Sequence, residues 1–237
     1  MPVTCFTSAN ERLISFDYSP GEWDQLKLRY ADLGLHVRCC GAQAIPKTSK
    51  LGSQFFAHKS NACGEGKESI EHILCKELIV KGGRAAGWVS SPEQPGEDSF
   101  QNAWVADVLC QKNDYRIAFE VQLASQAFAE YKRRTVRYSN SGVNCLWFIQ
   151  RKRKHPIAEQ MILDRINSTQ RKDVLGHHPD REDMPVFQID TSDIANITVF
   201  FPWHHGHGPY QIPLSEFVQG VLSGQMTFQG QRWCWNA

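Results

Sequence analysis

The chain has 237 residues, 41% hydrophobic and 22% charged, with a formal net charge of +1. That length supports a sizeable hydrophobic core, and the near-zero charge excludes a global basic signal for nucleic acid, so any polyanion site must arise from local clustering. No apolar run approaches the roughly 18 residues needed to cross a bilayer. The opening "MPVTCFTSANERLISFDYS" lacks the charged start and apolar centre of a secretion signal, which predicts a cytoplasmic protein. In a reducing compartment the eight cysteines point to buried thiols or a metal site rather than a disulfide framework.

In chain order, "RLISFDYS" reads as a short strand or hairpin region, followed by a polar helical segment carrying Trp23, Leu26 and Tyr30. Residues 36–63, "HVRCCGAQAIPKTSKLGSQFFAHKSNAC", mix Cys, His, Gly and Lys without a regular period. They predict a small knuckle held by something other than a large core. "GKESIEHILCKELIVKGG" is a helix with Ile70, Ile73, Leu74 and Leu78 on one face and Gly82-Gly83 as its stop. "GWVSSPEQPGEDSF" reads as loop. "AWVADVLC" and "YRIAFEVQL" read as strands joined at Lys112-Asn113-Asp114.

"SQAFAEYKRRTVRYSNSG" is a helix with Phe128, Tyr131 and Val136 on its apolar side, and "VNCLWFIQ" is a buried strand. Beyond it, "HPIAEQMILDRINSTQ" reads as helix, "PVFQID" and "ITVFFPW" as strands, and "PLSEFVQGVLSG" as a last helix. The alternation gives an α/β layered core. The predicted organisation is an N-terminal region over 1–66 and an α/β domain with a C-terminal extension over 67–237.

Asp107 and Glu120 lie on consecutive strands whose pairing can bring their carboxylates together. Two such acids facing one point repel unless a cation lies between them. Hard oxygen ligands suit Mg²⁺ or Mn²⁺, and this is the arrangement a metal-dependent phosphodiesterase needs. Gln122, two residues after Glu120, points to the same face. The competing reading is an ordinary hairpin with acids at its solvent edge.

The order of these segments carries a resemblance. Asp107 followed by "FEVQ" looks like the PD-(D/E)xK nuclease signature with Gln122 in place of the last lysine. "FFAHKSNACGEGKESIEHILCK", "ADVL", "FEVQLASQAFAEYKRRTVRYSNSG" and "CLWFI" together resemble the CoiA-like competence nuclease family over about residues 36–150. The resemblance implies a restriction-endonuclease-like mixed sheet flanked by helices, with a small Cys/His knuckle before it. It also implies a metal-dependent site acting on DNA. Asp107 and Glu120 become Mg²⁺ or Mn²⁺ ligands, with the Val121 carbonyl as a third. Gln122 can hydrogen-bond water but supplies no positive charge.

On the preceding helix, Glu68, His72 and Lys76 form one polar stripe, with Glu71 near the boundary of the apolar face. Spacing does not decide between Glu68 and Glu71, and a solvated helix face is the plain alternative. The resemblance favours Glu71 as the helix acid and metal ligand, with His72 beside it and Lys76 as a substrate contact. Arg134 and Tyr138 match its "R…Y" helix and are the substrate-binding candidates.

Cys39, Cys40, His58 and Cys63 are candidates for a structural zinc, which favours four N/S ligands in a tetrahedron. The family pattern has a CxxC pair, and here Val37 stands where its first cysteine belongs. His36 then completes the set as His36, Cys40, His58 and Cys63, with Cys39 competing for the place of Cys40. Loss of the zinc is the alternative. Lys132, Arg133, Arg134 and Arg137, and then Arg151–Lys154, read as phosphate contacts or as solvated basic faces. His204, His205 and His207 read as a surface or packing loop.

The leading expectation is a metal-dependent deoxyribonuclease in DNA uptake, recombination or defence. Its partners are DNA and, beyond it, a second copy of the chain or a recombination or defence protein. The alternative is an inactive nucleic-acid-binding module with a structural zinc.

Overall fold

A computed structural model of the chain describes residues 2–59, 63, 68–151, 181–201, 210–229 and 232–236. The expected helix within 155–170, the basic residues 152–154 and the histidines at 204, 205 and 207 lie outside the described residues. The chain divides between Glu77 and Leu78 into two compact units. Among the described residues, which include all eight cysteines, no disulfide forms. No described helix is long and apolar enough to cross a membrane.

The first unit contains a small ladder of β1 (Thr4–Phe6) and β2 (Arg12–Ile14), helix α1 (Pro20–Arg29), and a hairpin of β3 (Ala44–Thr48) and β4 (Gln54–His58). Helix α1 starts cleanly because Ser19 and Glu22 form a reciprocal capping box and Pro20 occupies the first turn. Trp23 and Leu26 on its inner face pack with Cys5, Leu35, Val37 and Phe56. Phe56 meets Trp23 edge-on at 5.2 Å between ring centroids. The segment expected to form a small knuckle contains this hairpin, and its Val37, Ala44 and Phe56 join the core of the unit.

The second unit is built on a seven-stranded sheet. Its strands are β5 (Val89–Glu97), β6 (Ala103–Lys112), β7 (Tyr115–Gln122), β8 (Asn144–Gln150), β9 (Val186–Asp190), β10 (Thr198–Phe201) and β11 (Tyr210–Pro213). Spatial order follows chain order. β5, β6 and β7 pair antiparallel, β7–β8–β9 parallel, and β9–β10–β11 antiparallel, giving a mixed sheet. The β7-to-β8 crossover is made by α3 (Phe128–Asn140), as a parallel pair requires. β8 lies at the centre and is buried on both faces, which is why it reads as an unbroken apolar run.

On one face of the sheet, Cys145, Trp147 and Ile149 pack with Tyr131 and Tyr138 of α3. On the other, Phe119 and Phe148 stack, and Phe148 and Phe187 meet Phe217 of α4 (Leu214–Leu222). A final hairpin, β12 (Met226–Gln229) and β13 (Arg232–Trp235), lays Trp235 on Phe217.

Three local expectations change. Val136 of α3 is 57% exposed rather than on the apolar side, and Tyr138 takes the inward place. "GWVSSPEQPGEDSF" contains β5. Its two prolines are tolerated because β5 is the edge strand, where an absent N–H leaves no gap in a ladder. Helix α2 (Ile70–Ala85) runs through both glycines instead of stopping at them. A Cβ on Gly82 would lie 2.3 Å from the Ser215 carbonyl oxygen, and one on Gly83 would lie 2.2 Å from Ser90 Oγ. The glycines permit close packing there.

Gly82→Ala is accordingly expected to destabilise by about 1–3 kcal/mol despite the better helix propensity of alanine. Gly21→Ala in α1, where a Cβ meets nothing within 4 Å, is expected to be neutral or stabilising. Denaturant unfolding of both variants measures this. A Gly82→Ala protein as stable as the parent contradicts the packing argument.

Candidate active site

The β6–β7 ladder runs from the Lys112↔Tyr115 pair to Val108↔Phe119 and then stops. One step further the register places Asp107 opposite Glu120. Asp107 Oδ2 there accepts a 2.8 Å hydrogen bond from the backbone N–H of Val121, so a side chain does what strand backbone does elsewhere in the ladder. The β5–β6 ladder is interrupted at the same level. Pro92↔Val108 and Gln94↔Ala106 pair on either side of Glu93, which stands across from Asp107 with φ +48°. A non-glycine residue in the left-handed region costs on the order of 1 kcal/mol or more and concentrates at functional sites. Glu93 was missed in the sequence because its segment read as loop.

Glu120 is fully buried. Residues 118, 120 and 122 of β7 share the face covered by α3, and α3 supplies the partners. Arg134 Nη2 makes an ion pair with Glu120 Oε2, and the Tyr138 hydroxyl donates to Glu120 Oε1. Arg134 and Tyr138 lie one helical turn apart, which lets one α3 face grip both oxygens. Arg134 is itself placed by the ring of Trp147, 4.8 Å below its guanidinium. Trp147 is fixed in turn by donation to Thr135 Oγ1 at 2.9 Å.

Burial and then the neighbouring charge of Asp107 push the Glu120 carboxyl up to about 8, against the opposing pull of Arg134 and Tyr138. Burial and Glu120 push the Tyr138 hydroxyl upward, so it stays protonated and donates. Gln122 lies half-buried at the C-terminal end of β7, its amide donating to the Ala124 carbonyl at 3.0 Å. Arg134 and Tyr138, read from the sequence as substrate contacts, have Glu120 as their structural partner.

In the first unit, the acid that shares a stripe with His72 and Lys76 is Glu68. The fully buried Lys76 donates to both Glu68 oxygens at 2.9 and 2.7 Å. His72 Nδ1 is 3.9 Å from Glu68 Oε1. Glu71 instead engages the Ser69 side chain, which holds its carboxyl below the usual range.

Also in this unit, ligand atoms of Cys39, Cys40, His58 and Cys63 all lie within 4.8 Å of one another. Cys39 Sγ is 3.9 Å from Cys40 Sγ, 3.7 Å from Cys63 Sγ and 3.0 Å from His58 Nε2. Zn–S bonds of about 2.3 Å in a tetrahedron set sulfur atoms roughly 3.8 Å apart, so both sulfur spacings suit zinc. His36 lies outside this set. Its Nδ1 is 3.4 Å from the Gly34 carbonyl, and its backbone bridges Phe6 and Gln43. The adjacent cysteines were expected to compete. The turn at 38–40 brings both sulfurs to the same group, so Cys39 stands where His36 was placed.

Residues 68–215 match the family model described as "Competence protein CoiA, nuclease-like domain". The matched range contains Asp107, Glu120, Gln122, Arg134 and Tyr138 and excludes the Cys/His group. No curated protein matches the chain.

The Glu120 carboxyl generates a test without added metal. An unfolded glutamate ionises near 4.5. A folded value near 8 means the unfolded chain binds fewer protons between those limits, so stability falls as pH rises through the window. Thermal melting with chelator across this range is expected to show that decline. Glu120→Gln is expected to flatten it. A decline equally steep in the variant assigns the slope to other groups.

Proposed function

This chain belongs to the competence protein CoiA nuclease-like family, and we propose that it is a Mg²⁺- or Mn²⁺-dependent nuclease that hydrolyses DNA phosphodiester bonds. The observation that carries the reading is the pair of opposed acids, Asp107 and Glu120, at the point where the β6–β7 ladder ends. Each would disfavour ionisation of the other: after burial, the charge of Asp107 is the next largest influence raising the Glu120 carboxyl. A divalent cation resolves it, and an all-oxygen donor set suits Mg²⁺ or Mn²⁺ over a softer metal.

When bound, the cation supplies Lewis-acid polarisation of the phosphate and acidifies water. The remaining work falls to the chain. Arg134 and Tyr138 fix both oxygens of Glu120, so its carboxylate is pre-aimed. The Val121 N–H orients Asp107, and the Val121 carbonyl is proposed as a further oxygen ligand. Gln122 can position a water by hydrogen bonding but cannot neutralise charge, which predicts slow turnover rather than none. Glu71 and His72 are proposed as further contributors from α2. Cleavage unchanged in both Glu71→Gln and His72→Ala removes these two residues from the chemistry.

The family's competence designation favours processing of DNA during uptake and recombination. Defence against foreign DNA would use the same chemistry. We also propose a structural zinc held by Cys39, Cys40, His58 and Cys63, supported by the sulfur spacings. Metal analysis is expected to find about one zinc per chain, reduced by Cys39→Ser and unaffected by His36→Ala. Zinc absent from the protein as purified, and not taken up on supplementation, overturns this assignment.

Incubation with single- and double-stranded DNA is expected to give cleavage with Mn²⁺ or Mg²⁺ and none with chelator. Asp107→Ala is expected to reduce the rate by at least about 100-fold while leaving DNA binding in place. DNA that is shifted but intact under all conditions favours a binding module without turnover. Undiminished cleavage by the variant refutes the mechanism.

A further inference from the structure

The tip of the β5–β6 hairpin carries more organisation than a solvent loop needs. Asp98, only 6% exposed, accepts from the backbone N–H groups of Phe100 and Asn102, each at 2.9 Å, and from the Asn102 amide at 3.1 and 3.0 Å. Burial alone would raise the Asp98 carboxyl. The bonds from Asn102 and Phe100 and the charge of Arg137 outweigh it and hold the carboxyl below its usual range.

The tip is also tied to the end of α3. Ser141 Oγ donates to the Glu97 carbonyl at 3.1 Å and accepts from Trp104 Nε1 at 2.8 Å. Gly96 lies so close under the Trp104 ring that a Cβ would fall 2.2 Å from it. All of this ordering leaves Phe100 72% exposed at the summit. A single exposed apolar side chain is ordinary, but this one stands on a hydrogen-bonded turn whose Asp98 feels the charge of Arg137.

Cations line an adjoining cleft of about 350 Å³ whose walls include Trp104, Arg133, Arg134 and Arg137, with Glu130 the one acid among them. Arg133 is fixed by Glu130, and Arg137 by a 2.9 Å bond to the Ala103 carbonyl. That bond uses one of the five donors on the Arg137 guanidinium, so a positioned fork remains for an anion. Arg133 and Arg137 are one turn apart on the same helical face, about 6 Å along the axis.

We infer that this surface receives a single-stranded stretch of nucleic acid, its phosphates on Arg133 and Arg137 and an unpaired base stacked on Phe100. The arginines alone would accept any polyanion. Phe100 supplies the selection, because a duplex hides its base faces in the stack and only unpaired bases can cover an aromatic ring. The inference rests on the nuclease reading for its role as the approach to Glu120 and Asp107, and it specifies the substrate of that site.

The test titrates the full chain into a labelled oligothymidine of about 20 nucleotides and into a duplex of equal length, without added divalent metal, by fluorescence anisotropy. Phe100→Ala is expected to weaken single-strand binding about tenfold and duplex binding less than about twofold, with Phe100→Trp restoring it. Arg133→Gln and Arg137→Gln are each expected to reduce the slope of log affinity against log salt by about 0.7 for the single strand. Unfolding curves that match the parent protein show that Phe100→Ala acts on binding rather than folding.

A Phe100→Ala protein that binds oligothymidine like the parent, or loses affinity equally for both DNAs, overturns the inference. Cleavage with Mn²⁺, assayed on the same parent preparation, separates the two claims. A parent that cleaves while Phe100→Ala binds normally sinks this inference alone. A parent that binds through Phe100 but does not cleave supports the surface and sinks the nuclease reading.

Discussion

The site depends on one buried carboxylate. Glu120 is out of contact with water, and an isolated ionised acid there would be prohibitively unfavourable. Arg134 and Tyr138 each take one of its oxygens, and both come from the helix that links β7 to β8. The parallel crossover and the charge are therefore one design. The helix required by topology is also the element that makes the acid tolerable. Trp147, at the centre of the sheet, carries Arg134 on its face, so core packing and site electrostatics share a residue.

The tolerance is partial, and that is what makes the site chemically interesting. With Asp107 opposite, Glu120 remains reluctant to ionise even with an arginine in contact. A chain could have relieved this with a second cation or by replacing one acid. It keeps both, breaks two ladders at the same level, and holds Glu93 in a left-handed conformation beside them. Locally unfavourable features that coincide at one point mark a site shaped for a ligand rather than for stability.

What the sequence revealed follows from range. The placement of Asp107 opposite Glu120, with Gln122 on the same face, was legible because strand alternation and hairpin register are short-range properties. Arg134 and Tyr138 were legible as a pair because helical spacing is local, but that Glu120 is their partner required the crossover geometry. The glycines at 82 and 83 misled because a stop signal and a close-packing position look alike until Ser215 and Ser90 are placed against them. β5 was hidden by Pro92 and Pro95, which exclude a central strand but not an edge. The Cys39–Cys40 pair misled differently, since whether neighbouring sulfurs can face one point is decided by the turn they sit in.

The central claim is that Asp107 and Glu120 share a divalent cation. It is tested most directly by calorimetric titration of Mn²⁺ at pH 7 in buffers of different ionisation enthalpy, which reports protons released per ion bound. A Glu120 carboxyl held near 8 must lose its proton to become a ligand. The account predicts release of close to one proton per Mn²⁺, absent in Glu120→Gln. Tight binding with no proton release, or equal release in the variant, would contradict it.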